Sequence, residues 1–278
     1  MSETSGRPNR PPRPSQVIGI VGGLGPFAHI DFERKLLEAA RECAGAVADQ
    51  DYPAWILSSI PQTPDRTLAL LGQAPSPVPA LVESLRRLET HRDADGREVR
   101  GADFAVVLCI TAHRFLPEAA RQVRIPVLSL VDETAREIAR THPGARVGLL
   151  ATTGTLRSGH FQTALRDRGL VPIVPLDLPE GEDLQREKVM EPIYGPWRDG
   201  RHVGGGIKTT GGRPKDVRDL QDAAARLVQA GAEVLIAGCT EIGLVLSGAE
   251  ASRPVIDPMQ VAARLCVHRV YGLGVGEQ

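Results

Sequence analysis

Aromatic side chains are scarce in this sequence. Two Trp, three Tyr and five Phe make up 4% of 278 residues, so the core must be built from Val, Leu, Ile and Ala, which a 42% hydrophobic content can supply. Charge of either sign is not in excess, with 33 Lys and Arg against 34 Asp and Glu. That balance excludes a basic face for nucleic acid or for an anionic membrane surface. No apolar run approaches the roughly 20 residues needed to cross a bilayer. The chain has four cysteines and no Cys-x-x-Cys pair, and its histidines lack metal-ligand spacing, so no metal site is expected. Met1 to Gln16, rich in Pro, Arg and Ser, lacks the apolar segment of a signal peptide and reads as a disordered tail. A cytoplasmic chain with free thiols is the corresponding expectation.

What is present is a series of short apolar runs that each end in a turn of small residues. Val17-Ile18-Gly19-Ile20-Val21 runs into Gly22-Gly23-Leu24-Gly25-Pro26 and a helical pattern to about Ala44. A continuous apolar run is the mark of a parallel strand covered on both faces. Gly22-Gly23-x-Gly25 does not have the dinucleotide-binding spacing, which excludes that use of the turn. A second strand, Tyr52 to Ser59, leads into the proline-bounded loop Ile60 to Thr67, where Arg66 is placed to grip a carboxylate or to pair locally with Asp65. Val78 to Glu89 reads as an amphipathic helix, and His91 to Gly101 as a charged surface loop. The run Arg146 to Leu150, with Ala151-Thr152-Thr153-Gly154-Thr155, repeats the opening pattern. Glu180 to Glu191 reads as an acidic helix, and Trp197 to Gly206 as a flexible glycine-rich insertion of the kind that covers sites.

Two cysteines occupy matching places. Cys109 closes Ala105-Val106-Val107-Leu108, and Cys239 follows Val234-Leu235-Ile236-Ala237-Gly238. Gly19 and Gly148 lie 129 residues apart, Cys109 and Cys239 lie 130 apart, and Pro126 and Pro254 lie 128 apart. Three landmarks in one register argue for an internal repeat. The fold class expected is α/β: two similar parallel-sheet domains related by pseudo-twofold symmetry, with the active site in the inter-domain cleft. Residues 17–126 plus 254–278 form the first domain in this reading, and 127–253 the second. Such a cleft presents one thiol to each face of a bound molecule. Inverting a stereocentre next to a carboxylate needs that arrangement, with one group removing the α-proton and the other delivering a proton opposite. The helices expected after both cysteines are a source of thiolate stabilisation. Cys43 and Cys266 sit in helical patterns and read as small buried hydrophobes. His113 is placed to tune Cys109 or to cap a helix, and Glu241 to face the cleft or, the preferred reading, to serve as a first-turn acid favoured by the helix dipole.

Taken together, Gly22-Gly23-Leu24-Gly25-Pro26, Pro64-Asp65-Arg66-Thr67, Cys109-x-Thr111-Ala112-His113, Leu150 to Thr155 and Gly238-Cys239-Thr240-Glu241-Ile242 resemble the aspartate/glutamate racemase family over nearly the whole chain from Val17. The resemblance implies cofactor-independent racemisation of an amino acid, a small-molecule carboxylate as partner, and a homodimer. It implies Cys109 and Cys239 as the two catalytic bases, and Thr111 and Thr240 as binders of the substrate's α-carboxylate and amino group. Arg66 and Lys208 would hold a side-chain acid, aspartate before glutamate, with Gly23 and Thr153 completing the binding set. Two departures stand out. Ile110 replaces the asparagine that the family normally has after its first cysteine, and an unmatched polar group in a buried site costs about 1–3 kcal/mol. The segment between Tyr194 and Lys208 is also longer than usual, with room for a substrate larger than aspartate. The alternatives are the same scaffold used for isomerisation, cyclisation or decarboxylation of another carboxylate, and a carboxylate-binding protein without turnover.

Overall fold

A computed structural model describes residues 13–198 and 201–274. Eight strands form two four-stranded, all-parallel sheets. The first sheet contains β1 (Val17–Gly22), β2 (Ala54–Ser59), β3 (Phe104–Val107) and β4 (Val127–Leu128), in the order β2-β1-β3-β4. The second contains β5 (Arg146–Leu150), β6 (Val171–Ile173), β7 (Val234–Ala237) and β8 (Val255–Ile256), in the order β6-β5-β7-β8. Strand for strand the two orders are the same, which is the repeat expected from the spacing.

The repeated glycines have a packing reason. A Cβ at Gly148 would come within 2.5 Å of Leu235 Cδ2, and one at Gly19 within 3.0 Å of Leu88, Ala102 and the Phe104 carbonyl. The central strand of each half therefore lies too close to its neighbours for any side chain at that point. The strands β3 and β7 are buried along their whole length, as their unbroken apolar runs require.

The helices interlock the halves. Pro26–Ala44 opens with proline at its first position and ends on Gly45, whose φ of 70° lets its amide reach the Ala40 and Arg41 carbonyls. Its buried stripe, which includes Phe32, Leu36, Ala39 and Ala40, packs on the last helix, Pro258–Tyr271, which follows the second sheet. The helix Leu130–Thr141 follows the first sheet yet packs on His160–Arg166 and on the last helix. Pairing places Val127–Leu128 in the first sheet and Val255–Ile256 in the second. The expected breaks, before 127 and before 254, put those two strands the other way round. Buried Lys35 ties the halves further, bonding Asp31 on its own helix and Asp257 at 2.6 Å, the residue that caps the last helix.

Other expectations shift in detail. Residues 91–101 form a short hairpin, with His91–Arg92 paired to Glu98–Val99. The insertion holds a second hairpin, Trp197–Arg198 paired with Arg201–His202, whose turn lies outside the described residues. Residues 1–12 of the expected tail are also outside them, whereas Ser15 donates from its amide to the Val270 carbonyl at 2.7 Å. Among the described residues no helix is long and apolar enough to cross a membrane.

Candidate active site

Each sheet delivers a cysteine from the end of its third strand. Cys109 and Cys239 are buried, with 6% and 5% of their surface exposed. Each carbonyl is capped at once by a tight turn: Ala112 N–H reaches Cys109 O at 3.1 Å, and Ile242 N–H reaches Cys239 O at 2.9 Å. Single 3₁₀ turns follow, Thr111–Arg114, which leads into the five-residue helix Leu116–Ala120, and Ile242–Leu244, so neither cysteine opens directly onto a long helix. The macrodipole of a long helix is therefore not what biases these thiols. The charges around them come from elsewhere.

Arg66 and Lys208 supply that charge. They approach from different parts of the chain and meet at one atom, the Leu24 carbonyl in the glycine-rich turn. Arg66 Nη2 donates to it at 2.5 Å and Lys208 Nζ at 3.4 Å. Arg66 is buried, donates also to the Thr63 and Pro64 carbonyls, and its Nε has no hydrogen-bond partner among the described residues. Burial works against its charge, but the Cys109 sulfur, Tyr194 and Asp65 outweigh burial and hold the guanidinium firmly protonated. Lys208 is likewise kept charged against burial, chiefly by Glu241, with contributions from Tyr194, Cys239 and Cys109. Lys208 thus feels both sulfurs.

Glu241 stands at the centre of the second half. It is 1% exposed, accepts from Lys208 at 2.6 Å through Oε1, and accepts from the Cys239 thiol and the Thr240 hydroxyl at 2.9 Å each through Oε2. Burial alone would raise its pKa, but Lys208, the thiol and the hydroxyl together bring it below the ordinary value. The same carboxylate acts on Cys239, whose pKa burial and then Glu241 push well up, with Lys208 opposing. Gly25 makes the room, because a Cβ there would lie 2.2 Å from Glu241 Oε1. Tyr194 closes the group, its ring 5.3 Å from Lys208 Nζ and its hydroxyl 3.5 Å from Thr67 Oγ1. His202 stacks on Tyr194 at 5.1 Å, and Trp197 meets the His202 ring edge-on at 4.8 Å. The glycine-rich insertion is thereby folded back onto Tyr194.

Of the residues singled out from sequence, Cys109, Cys239, Arg66, Lys208 and Thr240 share this one neighbourhood. The others are engaged in the scaffold. Thr111 Oγ1 lies 3.0 Å from both Thr152 and Thr155, a buried hydroxyl cluster that joins the two halves. Thr153 accepts from Gln185 at 3.3 Å, and its amide donates to the Met190 sulfur. Gly23 has φ of 78° and lies against Ile60 and Pro61, where a Cβ would meet Ile60 N at 2.8 Å. Ile110 is 2% exposed and belongs to the main apolar core, not to the apolar cluster that contains Cys109. His113 accepts from Leu130 N–H at 3.0 Å through Nε2, so Nδ1 donates to the Cys109 carbonyl at 2.9 Å. It caps a helix and braces the cysteine turn with a neutral ring.

Sequence reasoning missed Tyr194 as a site residue and ranked the cleft placement of Glu241 second. The signal for Glu241 was its place two residues after Cys239, which was read as a helix-dipole preference. Two surface depressions, one bordered by Glu38, Arg41, Glu42 and Val47 and the other by Pro79, Arg86, Arg87 and His91, lie elsewhere. Among the described residues no group of three or more His, Cys, Asp or Glu is arranged to hold a metal ion.

Two repeated α/β halves each end their third strand in a buried thiol, with Arg66, Lys208 and Glu241 as the charged groups around them. The chain belongs to the Asp/Glu/hydantoin racemase family, whose profile matches residues 21–266, and is thus an isomerase. It is 25% identical over 254 residues to the broad specificity amino-acid racemase RacX of Bacillus subtilis, covering 90% of this chain and 96% of that one. It is 32% identical over 94 residues to a glutamate racemase of Aquifex aeolicus, covering 30% and 37%. The fold is shared with the aspartate racemase of Picrophilus torridus, at a TM-score of 0.69 and 23% identity over 93% of this chain and 95% of that one. An aspartate racemase homologue from Pyrococcus horikoshii has a TM-score of 0.63 at 24% identity, over 92% and 99%.

Proposed function

We propose that the protein racemises an acidic amino acid, aspartate in preference to glutamate, by transferring protons through Cys109 and Cys239 without a cofactor. The observation that carries this is the charge count at the thiols. Two cations, Arg66 and Lys208, meet at the Leu24 carbonyl, with one carboxylate, Glu241, between Lys208 and Cys239. Asp65, the other nearby carboxylate, is held in its helix cap by the Leu68 amide, so among the described residues the guanidinium beside the thiols has no carboxylate in contact, and a carboxylate substrate supplies one. The two cation heads, held at 2.5 and 3.4 Å from one oxygen, are within about 6 Å of each other. One small substrate can therefore lie against both, with Arg66 the cation that has no carboxylate in contact.

In one direction Cys109 takes the α-proton as the substrate's Cα–H bond breaks, and Arg66 stands beside it as counter-ion. Cys239, kept as a thiol by burial and Glu241, gives up its S–H proton to the opposite face of the same carbon. The roles exchange for the other hand. Thr240 turns its hydroxyl from Glu241 to the substrate, while Thr111, Thr153 and Gly23 shape the surrounding turns. Proton NMR in heavy water, with D- and L-aspartate and glutamate, tests this. The expected result is loss of the α-proton signal, with the other enantiomer found by chiral chromatography of the same samples, and neither Cys109→Ser nor Cys239→Ser interconverting the hands. Retention of the α-proton with all four amino acids would refute the reading, as would full racemisation by either serine variant. The homodimer expected from the resemblance is read from the molar mass of the same preparation by light scattering.

A further inference from the structure

We propose that Glu241 and Lys208 act as an opposed pair that sets the proton on Cys239, with Glu241 the positioning residue that keeps the sulfur a proton donor. The functional meaning of this pair rests on the two-thiol mechanism above. Three features support it. Glu241 is the hydrogen-bond acceptor of the thiol, at 2.9 Å, and its other oxygen is taken by Lys208 at 2.6 Å. Gly25 is bare where a methyl group would collide with that oxygen at 2.2 Å, so the backbone of the first half is shaped around the carboxylate of the second. Lys208 arrives from the glycine-bounded segment after Tyr194 and not from either sheet.

The groups that bear on Cys239 are therefore Glu241 from its own turn, Lys208 from the short helix Ile207–Thr210, and Tyr194 from the end of Glu191–Tyr194. An anion in hydrogen-bond contact disfavours the thiolate, and a cation nearby favours it. Holding both lets the site bias Cys239 toward the acid form while keeping a cation at hand for the moment it loses its proton. Cys109 has no acidic residue two positions on, only Thr111. The two thiols, matched in the fold, are thus unlike in charge surroundings.

The experiment is alkylation of the full-length protein by iodoacetamide between pH 7 and 10, without substrate, with Cys239 and Cys109 peptides quantified by mass spectrometry. The Cys239-to-Cys109 labelling ratio cancels changes in access to the site. In the wild type, Cys239 labelling climbs throughout the range without levelling. Glu241→Gln is expected to move that profile toward acid by about one pH unit, roughly a tenfold rise in the ratio at a given pH. Lys208→Met is expected to lower the ratio instead, because Lys208 acts on both sulfurs but more strongly on Cys239 than on Cys109. Opposite movements are the signature, since loosening of the fold moves both variants the same way. Cys266, wholly buried, reports unfolding by becoming labelled. An unchanged Glu241→Gln profile in folded protein, or a raised ratio in folded Lys208→Met, overturns the proposal. Because no turnover is measured, a protein that shows these opposite shifts yet fails to racemise would refute the proposed function and leave this pair standing.

Discussion

Replacing Gly25 with alanine tests whether the site geometry is real, because the change adds one carbon at a place defined by other residues. The new Cβ would sit 2.2 Å from Glu241 Oε1 and 3.3 Å from Lys208 Nζ, more than 1 Å inside ordinary contact for the oxygen. Glu241 has little freedom to yield, being 1% exposed and bound to Lys208, the Cys239 thiol and Thr240. Moving it aside breaks bonds to a charged group worth about 1.5–3 kcal/mol each, and separating a buried ion pair costs about 3–5 kcal/mol. A loss of about 3 kcal/mol in unfolding free energy is therefore expected, measured by urea titration. If the same strain is felt in the transition state, kcat/KM for aspartate falls about 100-fold. Gly45→Ala is the control: its φ is 70° but nothing lies within 4 Å of the added carbon. It should lose only the roughly 1–2 kcal/mol of a left-handed alanine and keep its kcat/KM. A Gly25→Ala protein within 1 kcal/mol of the wild type and equally active would refute the placement of Glu241 against this turn.

Two further outcomes follow from buried groups. Ile110→Asn, which restores the residue usual in the family, should destabilise the protein by about 4 kcal/mol, from lost apolar burial and an amide left unpaired in the core; equal stability and higher activity in this variant would place the side chain at position 110 in the substrate pocket instead. His113, wholly buried, has its pKa lowered to about 4 by burial against the opposing pull of the Cys109 carbonyl. The unfolded chain takes up this proton below about pH 6.5, and the folded one only near 4. Stability is therefore fully present above about pH 7 and declines on acidification from about 6.5 toward 4, by at most about 1.4 kcal/mol per pH unit. His160, also lowered to about 4 mainly by burial, adds a second decline in the same window. Urea midpoints from pH 7.5 to 4.5 should fall less steeply in His113→Gln, and an identical slope would show that the ring is not buried neutral.

Much of this was legible along the chain. Parallel strands covered on both faces must be unbroken apolar runs, so β1, β3, β5 and β7 announce themselves, and the turns that end them carry Cys109 and Cys239. The interval near 129 residues revealed the repeat because each copy needs a bare glycine at one point of its central strand. What surrounds the thiols was harder. Glu241 next to a strand end reads equally as a helix-dipole acid, and only its hydrogen bonds to Cys239 and to Lys208, 33 residues away, distinguish the two. Arg66 was open between Asp65 and a substrate carboxylate, and its shortest hydrogen bond is to a carbonyl 42 residues earlier.

The sequence by itself determined the α/β class, the doubled architecture and the matching places of Cys109 and Cys239 at strand ends, because burial on both faces of a strand and the repeat both leave a local, periodic trace. Tertiary structure alone decided which strand and helix each half lends to the other, and which charges meet at the sulfurs. Those are contacts between distant segments, and a buried ion is stable only where its partner arrives, which no local pattern encodes.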